Sequence, residues 1–243
     1  MTVSGNPLLF TKTAVLDSRK HSDWKITPQR DFKHCLQKRF LPITLPEFSR
    51  VALEQPIVFV QDKELIVPIT VLGLNTGDNL FVDTKGLWMG DYIPAYARMY
   101  PFILAPRQGR DDYSVCIDES YPGFNVAKGN KLFAEKGSQS KLTQDAVTFA
   151  TEYQRQREQS LLFTARIQSL GLLESANFTA TDSDTAAVAG FLTINREKLA
   201  GLSEAVVLEL FQEGGLELLY LQLASLTNFE RLIALGKQRR AAS

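Results

Sequence analysis

The spacing of apolar residues changes part-way along this 243-residue chain, and that change limits the folds open to it. Between residues 41 and 135 the apolar runs are short and β-branched: "IVFV" at 57 to 60, "ELIVPITVLGL" at 64 to 74 and "NLFVD" at 79 to 83. They are separated by "NTGD" and "DTKG", whose Asn, Asp and Gly take turn dihedrals at little cost, and Pro42, Pro46 and Pro56 each disfavour helix at the preceding residue. The pattern predicts an antiparallel meander. Pro68 has no amide hydrogen to give to a ladder, so its strand is expected at a sheet edge or at a bulge. From Leu142 the spacing turns helical: Leu142, Ala146, Phe149 and Tyr153, then Phe163, Ile167 and Leu170, with Gly171 as a cap. The polar run "QRQREQS" at 154 to 160 is either the exposed flank of one long helix or a break between two. Asn195 and Ser203 are candidate N-caps, and Gly214 and Gly215 close the helix that Ser203 opens. A largely buried last helix is expected over 216 to 235, ended by Gly236 and followed by a disordered basic tail, "KQRRAAS". The stretch "FTATDSDTAAVAG", 178 to 190, reads as a loop before a short "FLTI" strand. Strands first and helices after point to an α+β fold, an antiparallel β-rich N-terminal half packed with a helical C-terminal half. The expected division is a polar, basic arm over 1–40 and a single α+β domain over 41–243, β-rich over 41–135 and mainly helical over 140–236.

Lys plus Arg and Asp plus Glu both number 27, so no global field draws in nucleic acid or an anionic membrane surface. No nucleic-acid partner is expected. Between Arg19 and Arg39 there are seven basic residues against two Asp, but His21, Trp24, Phe32 and Phe40 dilute them, which fits a solvated or wrapping arm. The start "MTVSGNPLLF" lacks the charged and apolar regions of a secretory signal. The most apolar segment, Leu65 to Leu74, is far shorter than the roughly 20 residues a spanning helix needs. A soluble, cytoplasmic chain with no transmembrane segment is expected. Cys35 and Cys116 are too few for a disulfide framework and read as buried free thiols.

Chemistry-bearing motifs are sparse. His21 and His34 sit in no metal-binding spacing; an iron site completed by Asp83, Asp91 or Asp118 has no pattern to support it, and no metal is expected. There is no nucleophile elbow and no glycine-rich loop of the kind that surrounds phosphate with amides, so no cofactor is expected. Carboxylates are the remaining route to catalysis. Asp83, Asp91, Asp118 and Glu119 fall in or beside the β-rich half, and a pair at suitable separation can do acid and base work. Asp83 or Asp118, with a tyrosine or His21 as proton donor, is the alternative catalytic set. Asp83 in "FVDTKG" and Asp118 in "CIDES" also suit turns, and both readings stay open.

One stretch concentrates recognition chemistry. "GLWMGDYIPAYARMYPFIL", residues 86 to 104, holds Trp88, Tyr92, Tyr96, Tyr100 and Phe102 around Pro94, Pro101 and Arg98, with Phe81 just upstream. The prolines restrict helix to a short turn around "AYARMY". Tyrosine combines apolar area with a hydroxyl that needs a partner, so the strip suits either a core seam or the wall of a groove. Arg98 would then stack and pair internally, or face an anionic group on something bound. Trp88, Tyr92, Tyr96, Arg98, Tyr100 and Phe102 are the candidate binding residues, for a peptide or protein partner.

The blocks "LPITLPEF", "QPIVFV", "VLGLNTGDNLFVDTKGLWMGDYIPAYARMYPFIL", "VCIDES" and "LF" together resemble the SapC family of bacterial proteins. Upstream "KHSDW" and downstream "GGLELLYLQLASLTNFERL" extend the likeness over most of residues 21 to 235. Met99 departs from it, standing where the family often has a second arginine. The resemblance implies an accessory or binding protein linked by name to a surface layer, and by gene neighbourhood to TonB-dependent outer-membrane receptors and flavin-dependent halogenases. It brings no reaction and no catalytic residue. The label of peptide transporter permease sometimes attached to the family conflicts with the missing transmembrane segments.

Overall fold

A computed structural model describes residues 7–28, 31–107, 109, 112–179 and 187–241. In chain order the strands are β1 (Thr13–Val15), β2 (Lys25–Ile26), β3 (Phe40–Pro42), β4 (Ile57–Asp62), β5 (Leu65–Val71), β6 (Phe102–Pro106), β7 (Tyr113–Asp118), β8 (Phe124–Asn125), β9 (Asn130–Lys131), β10 (Leu173–Thr179) and β11 (Ala187–Ile194). The helices are α1 (Phe48–Val51), α2 (Ala95–Met99), α3 (Lys141–Ser169), α4 (Arg196–Ala200), α5 (Glu204–Gln212), α6 (Gly215–Ser225) and α7 (Asn228–Ala241). Antiparallel sheets dominate the N-terminal half and helices the C-terminal half, so the fold is α+β. The chain forms two compact units, one of residues 1–31 and 96–155, the other of residues 32–95 and 156–243.

The first unit holds two small antiparallel sheets, in the orders β1-β7-β6 and β8-β2-β9. Strand β7 is central in one, with Ile117 opposite both Ala14 and Phe102. Ile26, Phe102, Ile117, Tyr121, Leu132 and Phe133 form its core, and Trp24, Phe124 and Leu142 pack against them. Residues of the polar N-terminal stretch thus supply strands to both sheets, because their backbone donors and acceptors are met by β7, β8 and β9.

The second unit contains a five-stranded sheet, β10-β11-β4-β5-β3. Strand β5 pairs on both sides, so Pro68 is not on an edge strand. Its missing donor falls where β3 ends: the Pro68 carbonyl accepts the Ile43 amide at 3.1 Å, and only the return bond of that pair is forgone. The "NLFVD" run is not a strand and makes one isolated bridge, Val82 to Trp88. The sheet continues instead into the β10–β11 hairpin; residues 180–186 of the expected loop lie outside the described residues.

Between β11 and β4 the ladder is short, with Leu192 opposite Phe59. Helix α6 completes that junction. Buried Gln222 donates to the Ile57 carbonyl at 2.9 Å and accepts the Ile194 amide at 3.2 Å, while Ser225 Oγ accepts the Ile57 amide at 2.9 Å. Around them Phe48, Val51, Phe59, Ile167, Leu172, Leu210, Leu219 and Leu223 form the core of this unit.

Helix α3 is continuous over 29 residues, and Gly171 follows it with φ 68°. Asn195 caps α4 by accepting the Lys198 amide at 2.8 Å, whereas Ser203 precedes α5 without a side-chain cap. The last helical region is two helices, α6 and α7, and α7 runs through Gly236 to Ala241, so the basic tail is helical up to that residue. Arg239 explains why that end is ordered: it donates to Asp78 Oδ1 at 3.0 Å and to the carbonyls of Asn79 and Val82, both at 2.8 Å. Those carbonyls have no ladder partner of the kind a strand would give them. Arg239→Ala is expected to lower stability by about 1–3 kcal/mol, since it takes a charged donor from both carbonyls and leaves that of buried Val82 without its partner. Chemical denaturation checks this, and an unchanged midpoint would contradict it.

Candidate functional site

The segment that follows the Val82–Trp88 bridge has little regular structure, so its backbone donors must find acceptors elsewhere. In the second unit those acceptors are two buried glutamates on the elements leading into β4, and a buried glutamine beside them supplies a donor to one of the segment's carbonyls. Glu54 Oε1 accepts the Tyr92 amide at 2.8 Å, and its Oε2 accepts the Asp91 amide at 3.0 Å. Gln55 Nε2 donates to the Tyr92 carbonyl at 3.0 Å, and its Oε1 accepts from Thr70 Oγ1 at 3.0 Å. Glu47 Oε1 accepts the Ala95 amide at 2.7 Å and the Tyr92 hydroxyl at 3.1 Å. Its Oε2 takes the Thr44 amide and hydroxyl at 2.8 and 2.9 Å, closing a capping box. All three side chains are buried.

Gly90 passes close enough to this cluster that a Cβ would stand 2.8 Å from Glu54 Oε1 and 3.0 Å from the Phe81 ring. The carboxylate cannot retreat without releasing the amides it holds.

The sequence-predicted binding residues divide between the two units. In the second, Trp88 stacks on Phe81 at 6.1 Å and meets Phe32 edge-on at 5.7 Å. Its Nε1 is buried and has no hydrogen-bond partner among the described residues. Leu87 and Met89, on either side of it, are 53% and 61% exposed. Tyr92 is half-buried, with the Arg50 guanidinium 5.9 Å from its ring centre. Asp83 Oδ1 accepts the Lys85 and Leu87 amides at 2.9 and 2.8 Å, which makes it the keystone of the turn before Trp88.

In the first unit, Tyr96 is buried with its ring 5.9 Å from that of Tyr153, and Phe102 is buried in the core. Arg98 is exposed and lies over the Phe149 ring at 5.1 Å. Tyr100 is half-buried, meets Phe10 and Tyr121 edge-on, and donates its hydroxyl to Asp118 Oδ2 at 3.1 Å. Burial, and then the charge of Asp118, push the Tyr100 phenol above its ordinary pKa.

Asp118 is fully buried and has five donors. Oδ2 accepts the Thr11 amide at 2.9 Å besides Tyr100. Oδ1 accepts the Lys12 amide at 2.9 Å, the Ser120 amide at 3.0 Å and the Ser120 hydroxyl at 2.6 Å. Burial alone would raise the carboxyl pKa, but the bonds from Ser120, Thr11 and Lys12 outweigh it and hold the pKa below the usual value. Next to it, Glu119 pairs with Lys20, with Lys12 at 3.0 Å and with His21 Nε2 at 3.2 Å. Its pKa is lowered to about 2, chiefly by Lys20.

His21 is fully buried. Its Nδ1 accepts the Asp17 amide at 3.0 Å, which leaves Nε2 as the protonated nitrogen that donates to Glu119. This cluster ties residues 11–21 to the end of β7. Asp83, Asp118 and His21 therefore all hold backbone in place.

Sequence reasoning did not single out Glu47, Glu54 or Gln55. Only Glu47 had a readable signal, the T-x-x-E spacing of a capping box from Thr44. Among the described residues no group of three or more His, Cys, Asp or Glu is placed to hold a metal ion, and no helix is long and apolar enough to cross a membrane. Both cysteines are buried free thiols; burial pushes Cys35 to about 12 and raises Cys116.

Two predictions come from this geometry. Gly90→Ala is expected to destabilise the chain by about 1–3 kcal/mol through overpacking against Glu54 and Phe81, read as a shift in the denaturation midpoint. Asp118 and Glu119 both have pKa values depressed by folding. Their contribution is therefore complete above the unfolded-state pKa of about 4, and is lost as pH falls through the lower folded values. Unfolding free energy is expected to hold from pH 7 to about 5 and then fall toward about pH 2, less steeply in Glu119→Gln; an identical acid limb in that variant would contradict the assignment.

Comparison with known proteins gives one family-level finding: the SapC family model matches residues 16–232. No curated protein and no solved structure gives a match.

Proposed function

The chain belongs to the SapC family, and on that footing we propose that it is a soluble accessory protein that recognises a peptide or protein partner through the strip around Trp88. The observation that carries the reading is Trp88 itself: a ring wedged between Phe81 and Phe32, an indole N–H without an acceptor, and exposed Leu87 and Met89 beside it. Trp, Met and Tyr are the side chains that interfaces favour as anchors, and exposed Leu87 and Met89 put apolar area beside the ring for a partner to cover. Glu54, Gln55 and Asp83 hold the backbone on both sides of the tryptophan, so little ordering remains to be done on binding. Tyr92 contributes from the same unit. In the other unit Arg98 is exposed, while Tyr96 and Phe102 contribute to the interior.

The carboxylate-enzyme alternative draws less support. Asp118 already accepts five donors, Asp83 closes a turn, and both ring nitrogens of His21 are engaged. Groups so committed are poor acids and bases, because transferring a proton would break the backbone contacts they make.

Trp88→Phe separates binding from folding. It keeps the ring and deletes a donor that has no partner, so the melting temperature is expected to stay within a few degrees. Capture of a defined set of proteins from native lysate, read by mass spectrometry, is expected to fall several-fold, and further in Trp88→Phe combined with Met89→Ser. The same proteins captured in the same amounts by both variants would contradict the proposal.

A further inference from the structure

A second surface, independent of the Trp88 strip, lies on the α5–α6 hairpin of the second unit. Helix α5 packs Leu210 and Val206 into the core, which turns Val207, Leu208 and Phe211 outward. Phe211 is 70% exposed, Leu208 56%, and Tyr220 on α6 57%. The spacing of positions 207, 208 and 211 places them in one stripe along the helix. Large apolar side chains grouped in this way mark interaction surfaces more often than scattered ones do.

The charges carried by the α5–α6 hairpin itself are all of one sign. Glu204, Glu209, Glu213 and Glu217, all exposed, are the charged residues between Lys198 and Glu230, and no Lys or Arg lies in that span. Arg166 of α3 reaches Glu209 at 2.9 Å and also pairs with Glu213, which neutralises one charge of the four. A second copy docked face to face would bring two such acidic rims together, and like charges at close range oppose that pairing. Nine residues of α5 span about 13 Å, too short for the roughly 800 Å² per partner of a standard stable interface but long enough to seat a few turns of one helix.

We propose that the α5–α6 hairpin docks a basic amphipathic helix of a partner protein. The partner's apolar stripe lies on Val207, Leu208 and Phe211, and its Lys or Arg flanks pair with Glu204 and Glu217. The partner is recognised through the apolar face of its helix, with specificity set by the sign of the rim.

The test uses the full chain and a fluorescent 18-residue peptide with leucines at helical i, i+3, i+4 and i+7 positions and lysines elsewhere. Anisotropy titration is expected to give saturable one-to-one binding. The affinity should fall about tenfold or more with Leu208→Ser plus Phe211→Ser, and several-fold with Glu204→Gln plus Glu217→Gln or on raising the salt. A peptide with glutamate in place of every lysine should not bind. Both pairs of substitutions are at exposed positions, and the glutamate pair still decides the matter if the serine pair unfolds. Absent saturable binding, equal binding by both variants, or equal binding of the acidic peptide would overturn the proposal. So would a dimer, seen by sedimentation, that Phe211→Ser dissolves, because a second copy would then be the occupant.

Discussion

Buried carboxylates that accept backbone amides hold this structure's irregular segments in place. Glu54 and Glu47 take the amides of Asp91, Tyr92 and Ala95, and Asp118 takes those of Thr11, Lys12 and Ser120. A chain passing through an interior outside any helix or ladder carries donors that water cannot reach. A charged acceptor satisfies them with bonds worth about 1.5–3 kcal/mol each, stronger than neutral ones. In return, the amides keep the carboxylates from being unpaired buried charges, which would cost far more. Each side of the arrangement depends on the other.

The functional reading follows from that dependence. A tryptophan with an orphaned N–H and two exposed apolar neighbours would be a disordered liability on a loose loop. Here the turn at Asp83 and the clasp of Glu54 and Gln55 on Asp91 and Tyr92 fix the backbone at either side of it. Exposure is thereby combined with rigidity, the condition under which a small surface can bind without a large entropy loss. The polar groups named as alternative acids and bases are spent on the same kind of work, which is why the function proposed for the chain is recognition and not proton transfer.

How much of this was legible in the sequence depends on how far each residue's partners lie along the chain. The α+β class was legible because the switch from β-branched runs to helical spacing is local, and the caps at Asn195 and Gly171 likewise depend on neighbours within a few positions. Asp83 as a turn former was legible for the same reason. The "FLTI" end of β11 was legible, but β10 was not: "LESANFT" mixes exposed polar residues with half-buried ones, as an outer strand with little to bury does. Arg239 in a run of basic residues looks like a solvated tail, yet its acceptors sit about 160 positions earlier. Of the clasp itself, Glu47 announced its capping box. Glu54 did not, because the amide it serves at Tyr92 is 38 residues downstream.

Site-resolved hydrogen exchange on the unmodified protein tests the central claim most directly. If buried carboxylates clamp these segments, the amides of Asp91, Tyr92, Ala95, Thr11 and Lys12 exchange as slowly as those inside β4 and β7, despite belonging to no ladder. Exchange at the rate of an open loop at those five amides would contradict it.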